Sequence, residues 1–249
     1  MNEFELLVRL HQAGDRQGPG DQAQTKRAME LAGLFNRPTQ LKIADIGCGT
    51  GASTLVLAEH LGASIIAVDL FPAFLNILHQ KAEDAGVAHQ IQTLSCSMDD
   101  LPFDAASLDV IWSEGAIYNM GFKAGIAYFK QFLKPEGILA VSELTWLTSN
   151  RPDELTAHWQ KEYPEVDTVS EKIKILEAEG LMLLGYFPLP ANCWLENYYI
   201  PLQSRFADFL NQQDSELTQS IVENERKEIE LYKAYCNYYS YGFYIAKKL

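Results

Sequence analysis

Basic residues are scarce in this chain. Lysine and arginine total 20 against 33 aspartates and glutamates, a formal charge of −13 over 249 residues. A protein that grips a nucleic-acid backbone needs a cationic footprint. The short basic clusters are limited to Lys26-Arg27, Arg226-Lys227 and Lys247-Lys248, so no nucleic-acid partner is expected. Cysteine is also sparse: Cys48, Cys96, Cys193 and Cys236 stand far apart and form no CxxC, which argues against a disulfide framework. The 5 histidines are equally scattered, and no metal site is expected. No apolar run reaches the roughly 18 residues that a membrane helix needs. The opening MNEFELLVRL is acidic where a signal peptide is basic. The expectation is a cytoplasmic protein with no membrane partner.

What the chain does contain is an alternation of short apolar runs and helical periods. Strands are expected at residues 41–46, 64–70, 91–97, 108–114, 137–144, 181–189 and 239–248. Helices are expected at 53–62, 72–86, 123–134 and 169–180, and an amphipathic helix or helix pair across 202–236, where Phe206, Leu210, Leu217, Ile221 and Tyr232 recur at helical intervals. Residues 2–12 and 22–35 also read as helical, joined by AGDRQGPGD. Strands separated by helices give right-handed βαβ units, hence an α/β fold with a parallel sheet covered on both faces. No repeat or linker splits the chain. It is read as one domain, 1–249, with an N-terminal helical cap (1–38), a ligand-binding core (39–146) and a C-terminal half (147–249).

The stretch ADIGCGTGAS, residues 44–53, follows a strand and opens a helix. That context lends weight to a glycine motif, because glycines let a ligand approach the backbone. Two ligands compete for it. A dinucleotide brings a pyrophosphate, which Asp45 would repel, and it requires the third glycine one place later than Gly51. S-adenosylmethionine brings an ammonium and a sulfonium, which suit an acid at the strand end. Asp69 ends the second strand and can accept both hydroxyls of a ribose, a feature common to both ligands.

On these residues the chain resembles the class I S-adenosylmethionine-dependent methyltransferases, in the small-molecule branch of the methyltransferase type 11 kind. DIGCGTG, AVDL, SMDDLPFDAASLDVIWSEGAI and FLKPEGILAVSE carry the resemblance. RQGPGD and WSEGAIYNMGF are similar to a bacterial subgroup. The resemblance implies a Rossmann-like, seven-stranded, mostly parallel sheet with the last strand antiparallel. It implies S-adenosyl-L-methionine as cofactor and a small-molecule methyl acceptor as partner. It gives Asp45, Gly47, Gly49 and Gly51 the methionine end, Asp69 the ribose, and Leu70, Met98 and Asp99 the adenine. Ser97 stands where the family often has an acid.

Ligands of open parallel sheets bind beyond the carboxyl ends of the strands. Glu114 ends the fourth strand and Tyr118 and Asn119 follow it, so Glu114 faces the methyl or the cofactor's amino group, and Glu114 and Tyr118 are candidate proton acceptors, as are Glu143 and, after them, His11. Trp146, Trp194 and Tyr198 are candidate walls of an acceptor pocket; their rings would also favour a cation. Arg16 and Gln17 are placed to meet the cofactor carboxylate or roof the site. Two alternatives remain: a nicotinamide-dependent oxidoreductase, and a cofactor-binding protein without transferase activity. The number of copies is open, and a homodimer is compatible with the sequence.

Overall fold

The computed structural model describes residues 2–37, 40–213 and 215–249. Helix α1 (Glu3–His11) starts at a capping box, in which the Asn2 side chain accepts Glu5 N–H and Glu5 reaches back to Asn2 N–H. Helix α2 (Gln22–Leu31) is capped by Asp21, whose side chain accepts Gln24 N–H at 2.7 Å. The alternating core follows: β1 (Lys42–Ile46), α3 (Ala52–His60), β2 (Ser64–Asp69), α4 (Pro72–Asp84), β3 (Ile91–Ser95), β4 (Leu108–Glu114), α5 (Phe122–Phe129) and β5 (Leu133–Trp146). The C-terminal half adds α6 (Asp153–Glu162), the two-residue β6 (Asp167–Thr168), α7 (Val169–Ala178) and β7 (Leu181–Pro188). After it come the short α8 (Ala191–Trp194), a π-helical turn (Leu195–Tyr199), α9 (Ile200–Gln212), α10 (Glu216–Tyr235) and β8 (Tyr239–Lys248).

The strands form one sheet in the order β3-β2-β1-β4-β5-β8-β7, with β6 paired to the last residues of β5, past the end of its pairing with β4. Every pair is parallel except those made by β8, which runs antiparallel to β5 and β7. The fold is thus the Rossmann-like α/β arrangement expected, with β6 as an eighth, minimal strand that carries no periodic signal in the sequence. Side chains alternate across the sheet. Ile43, Val110, Trp112, Ile138, Phe243 and Ile245 point to one core, and Ala44, Ile111, Leu139, Val141, Tyr244 and Ala246 to the other. Burial on both faces explains why these strands read as continuous apolar runs.

The N-terminal helices belong to the first core. Leu6 and Leu10 are buried with Phe206, Phe209, Ile221 and Tyr232 of α9 and α10. The helix expected to run to residue 134 ends instead at Phe129. Leu133 already pairs with Leu108, and the register slips before Ile138 pairs with Val110. The Pro135–Gly137 turn, which the sequence places before the fifth strand, is therefore a bulge inside it, with Glu136 at φ 63°. The expected strand ends at 97 and 189 each lie within two residues of the observed ones.

Candidate functional site

The carboxyl ends of β1, β2, β3 and β4 converge on one edge of the sheet. There the chain leaves β1 through Gly47, Gly49 and Gly51, all left-handed, at φ 73°, 55° and 89°. The glycines are needed for space as well. A Cβ on Gly47 would strike the Ala116 side chain after β4, and one on Gly49 would strike Gln17 Oε1. Gly51 faces away, against Leu78 of α4.

Asp69 holds this loop in place. Its Oδ2 accepts Gly49 N–H at 2.8 Å and its Oδ1 accepts Phe71 N–H at 2.9 Å. Each oxygen keeps a lone pair for a further donor. Burial raises the Asp69 pKa, opposed by these main-chain N–H groups. Asp45 lies under the loop rather than on its surface. It is fully buried, and its Oδ2 accepts the hydroxyls of Ser53 at 2.8 Å and Thr54 at 2.7 Å, tying β1 to the first turn of α3. Burial pushes its pKa up to about 7.

A cavity of about 290 Å³ opens above the loop. Gly47, Gly49, Asp69, Leu70, Met98, Asp99, Tyr118, Asn119 and Gln17 all line it, so nine of the residues singled out in the sequence meet at one place. Leu70 is 49% exposed there, an apolar surface beside a carboxylate. Asp45, Gly51, Arg16 and Glu114 are outside its wall.

Arg16 and Glu114 instead form a buried pair at 3.0 Å. Glu114 Oε1 also accepts Thr25 Oγ1 at 2.7 Å and Trp112 Nε1 at 3.0 Å. Both carboxylate oxygens are thereby engaged in fastening the 14–20 loop and α2 to the end of β4. Gln17 reaches the glycine loop directly: its Oε1 accepts Thr50 N–H at 2.8 Å and its Nε2 donates to Gly14 O at 3.1 Å. On the far side, Asn197 Nδ2 donates to Gly20 O at 3.1 Å. The 14–20 loop thus bridges the glycine turn and the aromatic π-helical segment.

A second cavity, about 480 Å³, adjoins the first and shares Phe4, Gln17, Phe71, Phe74, Gly115, Tyr118 and Asn119 with it. Its walls are mostly rings. Trp194 and Tyr198 face it, as do Trp159 of α6, Tyr163 just after that helix and Tyr241 of β8. Trp194 is 3% exposed, stacks on Tyr232 at 4.4 Å between centroids and donates Nε1–H to Ser240 Oγ at 2.9 Å, so it is both wall and core. Burial raises the pKa of Tyr198, keeping its phenol protonated, and the surroundings of the Tyr118 hydroxyl raise its pKa although the residue is 41% exposed. Trp146 is not on this wall; it is buried against Tyr239 and donates Nε1–H to Val166 O at 3.1 Å. Glu143 is also elsewhere, in a fully buried pair with Lys172 at 3.2 Å.

Carboxylates complete the second cavity. Glu162 of α6 and Glu225 and Glu228 of α10 line it together with His11. His11 Nε2 lies 3.5 Å from Glu225 Oε1, and the imidazole stacks on Tyr198. Glu228 Oε1 accepts the Tyr199 hydroxyl at 2.9 Å. Burial, then the neighbouring Glu225, pushes the Glu228 pKa up to about 7. Glu225 and Glu228 were not among the sequence-derived candidates, although a signal was present. At positions four and seven after Ile221 they fall on the buried stripe of α10 shared by Ile221 and Tyr232, where a core-facing helix should be apolar.

Comparison with known proteins agrees with this geometry. Residues 43–137 match the family described as "Methyltransferase domain". Tocopherol O-methyltransferase of Arabidopsis thaliana is 28% identical over 72% of this chain and 48% of its own length. The chain spans less than half the length of the first curated relatives it matches. A solved S-adenosylmethionine-dependent methyltransferase from Geobacter sulfurreducens, in complex with S-adenosyl-L-homocysteine, superimposes with a TM-score of 0.77 over 90% of this chain and 91% of that one, at 16% identity. The [4+2]-cyclase SpnF superimposes with a TM-score of 0.73 over 94% of this chain and 85% of that one, at 18% identity. At such identities the likeness is one of fold.

Proposed function

We propose that the chain, whose residues 43–137 match the methyltransferase-domain family, is an S-adenosylmethionine-dependent methyltransferase acting on a small-molecule acceptor. The observation that carries this reading is the pair of adjoining cavities, one built on Asp69 and the glycine loop, the other walled by rings and carboxylates. Tocopherol O-methyltransferase and the Geobacter protein, by their names, perform or bind for this chemistry.

The residues present fit the donor. Asp69 offers two oxygens to a ribose, Leu70 and Met98 offer apolar contact to a base with Asp99 beside them, and Gly47 and Gly49 line the cavity with bare main chain for the amino-acid end. Among the described residues, no lysine or arginine lines either cavity, which disfavours a pyrophosphate and with it the nicotinamide alternative. When bound, the donor supplies an electrophilic methyl on a sulfonium.

The protein's own contribution is placement and exclusion of water. Gln17, Tyr118 and Asn119 stand where the two cavities meet and so orient both ligands. The 14–20 loop, pinned by Arg16 to Glu114, closes the site from above. Because both oxygens of Glu114 are already engaged, we give it a positioning role and leave proton acceptance to the second cavity. A second reading is a donor-binding protein that transfers nothing, since this fold does not by itself fix the chemistry: a [4+2]-cyclase shares it. The acidic balance supports a metabolite rather than a nucleic acid as partner, and a cytoplasmic setting accords with it; no helix of the described residues is long and apolar enough to cross a membrane. The test is incubation of the purified protein with methyl-labelled donor and a cell extract. Label in a small metabolite supports transfer. Donor binding with no labelled product at all supports the second reading.

A further inference from the structure

The larger cavity is unusual in the charge it carries. Two other glutamates withdrawn from solvent have a cationic partner on the protein: Glu114 has Arg16 at 3.0 Å and Glu143 has Lys172 at 3.2 Å. Glu228 has none. Its Oε1 is bonded to Tyr199, while Oε2 has no hydrogen bond to the described residues and no lysine or arginine lies on the cavity wall. Two further carboxylates share that wall: Glu162, which is half exposed and paired with Lys161 at 2.7 Å, and Glu225, which is engaged with His11. A carboxylate taken out of water without a partner is costly. The same cavity is lined by rings, among them Trp159, Tyr163 and Tyr198, and aromatic faces attract a cation and repel an anion.

We propose that this cavity binds its acceptor as an organic ammonium, that the methylated atom is the amine nitrogen, and that Glu228 receives the proton which that nitrogen gives up. The inference rests on the methyl-transfer reading above and narrows it to one acceptor class. It also excludes acceptors that present a phosphate or carboxylate to this cavity, for which the wall holds no counter-charge.

The step balances. The ammonium gives one N–H proton to Glu228 Oε2 and the nitrogen recovers its lone pair. That pair forms the new N–CH₃ bond as the methyl–sulfur bond of the donor breaks and its electrons stay on sulfur. The product is again an ammonium, with one methyl more. The proton leaves Glu228 to solvent when the site opens. Tyr199, donating to Oε1, holds the carboxylate in one orientation throughout.

The test uses the full chain saturated with S-adenosylhomocysteine at pH 8. It is titrated in a calorimeter with N-methylbenzylamine, with benzyl methyl ether as the neutral analogue, and with phenylacetate as the anion. The amine is expected to bind at least ten-fold tighter than the ether, and phenylacetate to give no heat. Glu228→Gln is expected to weaken the amine at least ten-fold and to leave the ether and S-adenosylhomocysteine within two-fold; Glu228→Asp is expected to retain the preference for the amine. Amine binding that is absent, no tighter than the ether, or indifferent to Glu228→Gln overturns the proposal, as does tighter binding of phenylacetate. Failure of S-adenosylhomocysteine itself to bind is seen in the saturating titration and counts against the methyl-transfer reading instead.

Discussion

Asp69 accepts the main-chain N–H of Gly49 at 2.8 Å, so the residue read as the ribose acceptor also fixes the shape of the loop above which the ribose would lie. Ligand and loop are coupled through one carboxylate. Asp69→Ala is therefore expected to act twice. Lost hydrogen bonds to a charged group weaken S-adenosylhomocysteine binding by about 1.5–3 kcal/mol. The N–H groups of Gly49 and Phe71 lose their acceptor, which lowers thermal stability as well. Calorimetry and a melting curve on the same sample separate the two; an unchanged dissociation constant with an intact fold removes Asp69 from the ligand site.

Gly49 tests the steric side of the same loop. Alanine there must adopt φ 55° and place its Cβ against Gln17 Oε1. The left-handed conformation alone costs about 1–2 kcal/mol, and displacing Gln17 loosens the 14–20 loop. Gly49→Ala is expected to weaken S-adenosylhomocysteine at least ten-fold. Gly62→Ala, with nothing within 4 Å and no left-handed φ, is the control and should bind as wild type.

The Arg16–Glu114 pair is the main clamp between the N-terminal loop and the sheet. Its side chains are 11% and 9% exposed, so removing one partner strands a buried charge. Arg16→Met is expected to destabilise the protein by about 3–5 kcal/mol, and Arg16→Met/Glu114→Gln to recover part of that loss. Chemical denaturation of these two variants, of Glu114→Gln and of the wild type measures the coupling. Stability of every variant equal to that of the wild type shows that the pair is dispensable to the fold.

Glu228 gives a pH signature. Burial raises its folded-state pKa to about 7 from an ordinary 4.5, so between those values the folded protein holds a proton that the unfolded chain has released. Stability from this group is full below about pH 4.5 and is lost as pH rises through about 7. The groups facing it are Glu225 on its own helix, His11 of α1, Tyr198 and Tyr199 of the π-helical turn, Tyr118, and Tyr239 and Tyr241 of β8. Of these the phenols are held neutral by burial. Glu228→Gln is expected to raise the melting temperature at pH 8 by a few degrees and to change it little at pH 5. That corresponds to about 1–2 kcal/mol, less than the full shift because the carboxylate faces a cavity. A gain of the same size at both pH values assigns it to packing and not to the charge.

The donor side of the site was legible because its signals are local. Glycines at fixed spacing after a strand, and an acid at the next strand end, sit within one βαβ unit, and the parallel topology brings Gly47, Gly49, Asp69, Leu70, Met98 and Asp99 onto one cavity. Asp45 was legible as important but not in its orientation. Its side chain follows the alternation of β1 and turns under the loop to Ser53 and Thr54, which spacing alone does not reveal. The acceptor side was harder to read. Phe4, His11, Trp159, Glu225, Glu228 and Tyr241 come from four elements scattered over the chain, and only the fold assembles them. Trp146 and Trp194 show the limit of composition as a guide: both lie in aromatic stretches near strand ends, yet one is packed behind Arg151 and Tyr239 while the other faces the cavity. Leu6 and Leu10 likewise make the N-terminal cap part of the core, so truncation of residues 1–20 is expected to unfold the chain rather than merely open a lid.

The most direct test of the proposed activity is a calorimetric titration of the purified chain with S-adenosylhomocysteine and, in parallel, with NAD. A one-to-one isotherm with S-adenosylhomocysteine and no heat with NAD is the expected result. Comparable affinity for NAD, or no binding of S-adenosylhomocysteine, contradicts the assignment of the glycine loop and Asp69 to a methyl donor.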